Sequence, residues 1–153
     1  VSLHRKVRTM FLPKHPAVAA LCAFTLLAAT SIASAEVYPR ESMIKAEKKE
    51  AAGGKGVLRG EYAFTRDMPK KDEAIKEISW LTLQPGDSIG YHKHTANEDT
   101  YIIVSGTGIF KDKDGKDVPV KAGDVTIVRK NESHGLTATG TVPLVFIDVI
   151  AEQ

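Results

Sequence analysis

Gly86-Asp-Ser-Ile-Gly-Tyr-His92-Lys-His94-Thr-Ala-Asn-Glu98-Asp99-Thr-Tyr-Ile-Ile-Val-Ser-Gly106 decides how the rest of the chain is read. It follows the turn dipeptide Pro85-Gly86 and ends in aromatic and β-branched residues at 101–105, which predicts two strands joined by a polar connection. Successive side chains of a strand point to opposite faces, so His92 and His94 share one face while Lys93 takes the other, in solvent. Two imidazoles on one face begin a shared metal site, and Asp99 or Glu98, entering the next strand, supplies a carboxylate oxygen. Asp99 is preferred because it shares strand parity with Tyr101 and Ile103, whereas Glu98 needs a bulge to point the same way.

The chain from residue 57 onward is written in short runs of this kind, at 57–65, 77–83, 88–91, 101–105, 108–111, 117–120, 124–128, 134–138 and 144–150. Turn chemistries separate them: Pro85-Gly86, Asp114-Gly115, Ala122-Gly123 and Thr139-Gly140. Short strands with frequent turns predict an all-β sandwich or barrel. The aromatics Trp80 and Tyr91 are expected in its core. His134 opens one of the runs and is the third and last histidine beyond the leader described next. Three neutral nitrogens and one carboxylate suit a divalent first-row metal.

Residues 1–35 read as a signal peptide. Arg5, Lys6, Arg8 and Lys14 precede an apolar run at 17–32, and Ala33-Ser34-Ala35 places the cut between Ala35 and Glu36. That run is shorter than the roughly 20 residues that span a bilayer, so the mature form is expected to be exported, periplasmic or extracellular, with no membrane segment. The remaining 118 of 153 residues make one domain. Its Glu-, Lys- and Ala-rich start, 36–56, is expected to be a solvated N-terminal arm ahead of a domain at 57–153. The only cysteine, Cys22, leaves with the leader, so thiolate zinc and redox chemistry are excluded. Losing four of 21 basic residues and none of 19 acidic ones takes the net charge from +2 to −2, and nothing argues for nucleic acid.

The motifs resemble those of the cupin family. Its first motif is Gly, five residues, His-any-His, three or four residues, Glu, six residues, Gly, matched here from Gly86 to Gly106 with Asp99 standing six residues before the final Gly. Its second is Gly, five residues, Pro-any-Gly, two residues, His, three residues, Asn. Here Gly123 leads at the family's distance to His134, with Arg129 in place of Pro, Asn131 in place of Gly and Ala138 in place of the final Asn. Asn tolerates positive φ better than most residues, so the turn at Asn131 is expected to survive. The resemblance covers residues 75–150 and implies a small antiparallel double-stranded β-helix, the jelly-roll or cupin barrel, with a short N-terminal arm. It also implies one metal near the open end, held by His92, His94, Asp99 (or Glu98) and His134. Parity puts Tyr101 and Ile103 in the cavity, and one face of 144–150 would add Phe146 and Asp148, the latter a candidate general acid or base.

The family spans enzymes and binders, so two functions stand: a metal-dependent enzyme of oxygenase, isomerase or lyase type acting on a small oxygen-rich acid, sugar or phenol, or a non-catalytic binder of a metal or small ligand. The partner expected is a small molecule, and a homodimer is left open. Manganese, iron, nickel, copper and zinc all accept this donor set. The leader has Arg5-Lys6 rather than a twin-arginine pair, so the chain is expected to cross unfolded and meet its metal outside, where the affinity order favours zinc or copper. Imidazoles with ordinary pKa values near 6.5 predict that metal affinity falls below about pH 6.5.

Overall fold

The structure, a computed structural model, describes residues 35–152. The signal-peptide reading, residues 1–35, lies outside the described residues except for Ala35. The chain divides into two units, 1–35 and 36–153, and the second carries the fold.

Ten strands follow in order: β1 (Ile44–Lys49), β2 (Val57–Phe64), β3 (Ile75–Leu83), β4 (Ser88–Lys93), β5 (Glu98–Ser105), β6 (Thr107–Lys111), β7 (Asp117–Lys121), β8 (Val125–Val128), β9 (Ser133–Ala138) and β10 (Leu144–Ala151). They form a six-stranded sheet, β1-β2-β3-β10-β5-β8, and a four-stranded sheet, β4-β9-β6-β7, with every pairing antiparallel. This is the all-β, jelly-roll architecture expected from the strand pattern. No helix of the described residues is long and apolar enough to cross a membrane.

Strict alternation builds the core. Along β10, Leu144, Phe146, Asp148 and Ile150 are buried while the residues between them are half-exposed. Leu83, Leu144, Phe146 and Ile103 pack with Phe110, Val120 and Leu136 from the facing sheet. Trp80 and Tyr91 do not join them, contrary to expectation. Tyr91 is 46% exposed, and its hydroxyl donates to the Lys113 carbonyl at 3.0 Å. Trp80 lies on the outer face of β3, half-buried, with the Arg40 guanidinium 4.2 Å over its ring. Position on the strand, not aromatic character, decides which face a ring takes.

The segment 36–56 is extended. β1 pairs with β2 along its whole length, from Ile44 opposite Tyr62 to Lys49 opposite Val57. After a first 3-10 turn at Arg40–Ser42 ahead of β1, a second at Ala51–Gly53 brings the chain against β4. The approach is close: a Cβ on Gly54 would stand 2.2 Å from the Ser88 carbonyl oxygen, and one on Gly90 2.2 Å from that of Ala52. At the turn before β9, Asn131 takes a φ of 73°, the left-handed conformation expected of it.

Candidate metal centre

Three strands aim the cluster. His92 on β4 stands opposite His134 on β9, and Asp99 enters from β5 in the other sheet. Ile89 and His92 both face inward although three residues apart, which alternation alone forbids. The β4–β9 register shifts between them, and this bulge restores the parity. β5 keeps its register from Glu98 to Ile103: Asp99, Tyr101 and Ile103 are buried, while Glu98 turns outward and pairs with Arg129.

The four side chains meet at their tips. His94 Nε2 lies 3.0 Å from Nε2 of both His92 and His134. Asp99 Oδ2 lies 3.4 Å from His94 Nε2 and 3.3 Å from His134 Nε2. The other ring nitrogens fix the tautomers. His92 Nδ1 donates to the Gly90 carbonyl at 2.9 Å, and His94 Nδ1 donates to Asn97 Oδ1 at 2.7 Å, so each Nε2 presents a lone pair. His134 is held by packing instead, stacked on Tyr101 at 5.0 Å with Phe110 set edge-on at 5.6 Å.

Two lone pairs 3.0 Å apart repel unless a cation lies between them. Between His92 and His94, whose ring protons sit on Nδ1, no added proton fills that gap at neutral pH, because burial holds His94 down at about 4, as it does His134. Burial pushes His92 down as well. The donor set therefore fits a divalent ion: neutral imidazoles, a buried carboxylate, and converging ligand atoms that all lie within 4.8 Å of one another.

A cavity of about 360 Å³ opens beside the cluster. Tyr101 and Asp148, both expected there, line it; Ile103 and Phe146 lie deeper, in the packed core, and do not. Asp148, on β10, is buried opposite Tyr101 on β5 and Ser79 on β3. Burial pushes its carboxyl well above the usual carboxylate range, and the charge of neighbouring Asp99 adds to this. Burial likewise raises Asp99 to about 6, against the opposing effect of a hydrogen bond from Asp148. Tyr62, Glu77, Arg66 and Lys48 also face the cavity, and none was singled out from the sequence. Arg66 Nε sits 3.5 Å from Glu77 Oε2.

Fold and site together define a small jelly-roll barrel with a buried cluster of three histidines and one aspartate that could hold a metal, set beside a compact polar cavity. The family model described as Cupin domain matches residues 79–150. The chain is 37% identical over 112 residues to the oxalate-binding protein of Thermotoga maritima, covering 72% of this chain and 90% of that one. It belongs to the cupin superfamily. Its structure resembles that of a predicted oxalate decarboxylase from Thermotoga maritima, with a TM-score of 0.69, 32% identity, and coverage of 77% of this chain and all of that one. KdgF from Halomonas sp., at 11% identity and a TM-score of 0.62 over 78% of this chain and 96% of that one, shares the fold.

Proposed function

We propose that this chain is an exported, metal-dependent cupin that takes a small carboxylate of the oxalate class in its cavity. The observation that carries the reading is the convergence of three neutral imidazoles and a buried carboxylate, with the Nε2 lone pairs of His92 and His94 3.0 Å apart, an arrangement that calls for a cation. His92, His94, Asp99 and His134 would hold it. Three imidazole nitrogens and one carboxylate would accept manganese, iron, nickel, copper or zinc, and the export route favours zinc or copper among them. The relative named for oxalate binding supports the ligand class, and so does the small, polar cavity.

A bound divalent ion supplies Lewis-acid polarisation of a ligand carboxylate. The chain's own groups do the rest. Burial and the facing charge of Asp99 bias Asp148 toward its protonated form, and it lines the cavity where a ligand would sit, which supports a catalytic role as a general acid. Tyr101 closes the cavity floor, stacked on His134. A non-catalytic binder remains the second reading, favoured by the name of the relative.

The test has two parts. Elemental analysis of protein recovered from the exporting compartment should find about one divalent ion per chain, and calorimetry of that protein should detect oxalate binding. Formate or carbon dioxide released from oxalate would establish an enzyme, binding without turnover a binder. A metal-free protein that refuses every divalent ion would sink both readings.

A further inference from the structure

The cavity is walled on one side by the N-terminal segment, and that wall carries positive charge. β1 is locked to β2 with Lys48 opposite Leu58, a buried residue that lines the cavity. Cross-strand partners share a face, so Lys48 turns toward the cavity while Lys45, Glu47 and Lys49 turn away. Past β1 the chain passes through Glu50 (φ 48°) and Ala52 (φ 52°), left-handed positions that residues with side chains rarely adopt. The turn's contact with β4 holds this strained backbone and makes Ala51 and Ala52 part of the wall.

Arg66, in the connection between β2 and β3, reaches the same cavity. Its ion pair with Glu77, Nε to Oε2 at 3.5 Å, engages one nitrogen of a guanidinium that carries five N–H donors. Lys48 pairs with no carboxylate among the described residues. Lys93 also reaches the cavity edge, but its strand parity is opposite to that of His92, whereas Lys48 shares the face of cavity-lining Leu58. Two cations on a wall facing buried metal ligands match a ligand with negative charge at both ends.

We infer that Lys48 and Arg66 are the specificity-determining residues of this cavity: they hold the outer carboxylate of a small dianion whose inner carboxylate faces the metal ligands. The inference rests on the carboxylate reading above and adds the residues that select two charges over one. It gives the N-terminal segment a role in recognition as well as in the sheet.

The experiment is calorimetric titration of the metal-loaded protein with oxalate, with formate as a single-charge probe and with oxamide as the neutral isostere. The parent should bind oxalate at least about tenfold more tightly than formate, and oxamide not detectably. Lys48→Met and Arg66→Met should each weaken oxalate by about tenfold or more with metal content and formate affinity unchanged, while Lys45→Met, on the outer face of the same strand, should change nothing. Lys48 is exposed, so that variant tests the idea even if loss of the Arg66–Glu77 contact impairs folding. Oxalate binding unaltered in Lys48→Met and in a folded Arg66→Met overturns the inference and leaves the carboxylate reading standing. An equal loss in Lys45→Met overturns it as a general charge effect. A parent that binds none of the three removes the carboxylate reading itself.

Discussion

The two ends of the barrel interior are built by the same strands and differ only in what those strands carry. Along β10 the inward residues run from Leu144 and Phe146 to Asp148, with Ile150 buried beyond it. Along β3 they run from Leu83 and Leu81 to Ser79, along β5 from Ile103 through Tyr101 to Asp99, and along β9 from Ala138 and Leu136 to His134. All four change from apolar to polar partway along. At the apolar end Leu83, Leu144 and Phe146 are fully buried, which is where folding free energy is gained. At the polar end Ser79 Oγ, Asp99 Oδ1, His134 Nδ1 and Asp148 Oδ1 are buried without a hydrogen bond inside the protein, which costs stability. One end holds the fold, and the other is held in place by it.

Phe146→Ala is the largest expected blow to that division. It should cost about 3–5 kcal/mol in urea unfolding, with the metal Kd of the folded protein changed only a few-fold. Next come His92→Ala, His94→Ala and His134→Ala, which should reverse the pattern: metal affinity collapses while the metal-free protein still folds. Metal bound only to the native state contributes about 2.7 kcal/mol at a hundredfold excess over Kd, so melting with and without chelator should lose that increment in each histidine variant. If His134→Ala without metal destabilised as much as Phe146→Ala, the two ends would not be separable.

The apolar end was legible because alternation is a local signal, and the same parity separated Asp99 from Glu98. It should also have turned Tyr91 outward, since Tyr91 precedes His92 just as Lys93 follows it; reading it as core put composition ahead of position. What was not legible depends on distant partners. Every residue of β1 is exposed, so its Lys- and Glu-rich sequence shows no buried face, and only its pairing with β2 makes it a strand. Lys48 and Arg66 reach the cavity through that pairing and the connection after it, and no spacing in the sequence marks them, whereas Glu77 shares the parity of Ser79, Leu81 and Leu83 on β3. The bulge between Ile89 and His92 was equally silent, because it follows from how β4 meets β9.

The pH dependence of metal binding sharpens the comparison with a smaller effect. Ordinary imidazoles would compete with metal below about pH 6.5, but burial holds His94 and His134 at about 4, and Asp99 at about 6 is the ligand with the highest value the structure resolves. Metal affinity should therefore fall with a slope of about one proton per ion below pH 6 and steepen only toward pH 4. Kd values from competition with a chromophoric chelator at pH 7.5, 5.5 and 4.5 decide between this and a three-proton slope beginning at 6.5. The metal-free protein should change less over the same range, because the shifts oppose one another. Depressed histidines contribute stability that is present above pH 6.5 and lost as pH falls toward 4. Raised Asp99 contributes stability that is full below pH 3.8 and lost as pH rises through 6.

Asp148→Asn carries the smallest expected change and the most specific one. Its native carboxyl lies well above the usual carboxylate range, chiefly through burial, so the native state keeps a proton that the unfolded chain releases above about pH 3.9. Stability from that group is fully present in acid and lost as pH rises, which means Asp148 weighs against the fold at neutral pH. Asparagine has the same shape and stays neutral, and its amide can donate to Asp99 as the protonated carboxyl does. The variant should therefore melt higher than the parent at pH 8 and alike at pH 3.5, with metal content unchanged. If the protein turns oxalate over, the variant should bind oxalate and fail to convert it, because asparagine holds no transferable proton. A variant that melts lower than the parent at both pH values would show that Asp148 stabilises the polar end through its contacts, and the division between an end that folds the barrel and an end that serves the ligand would lose its clearest member.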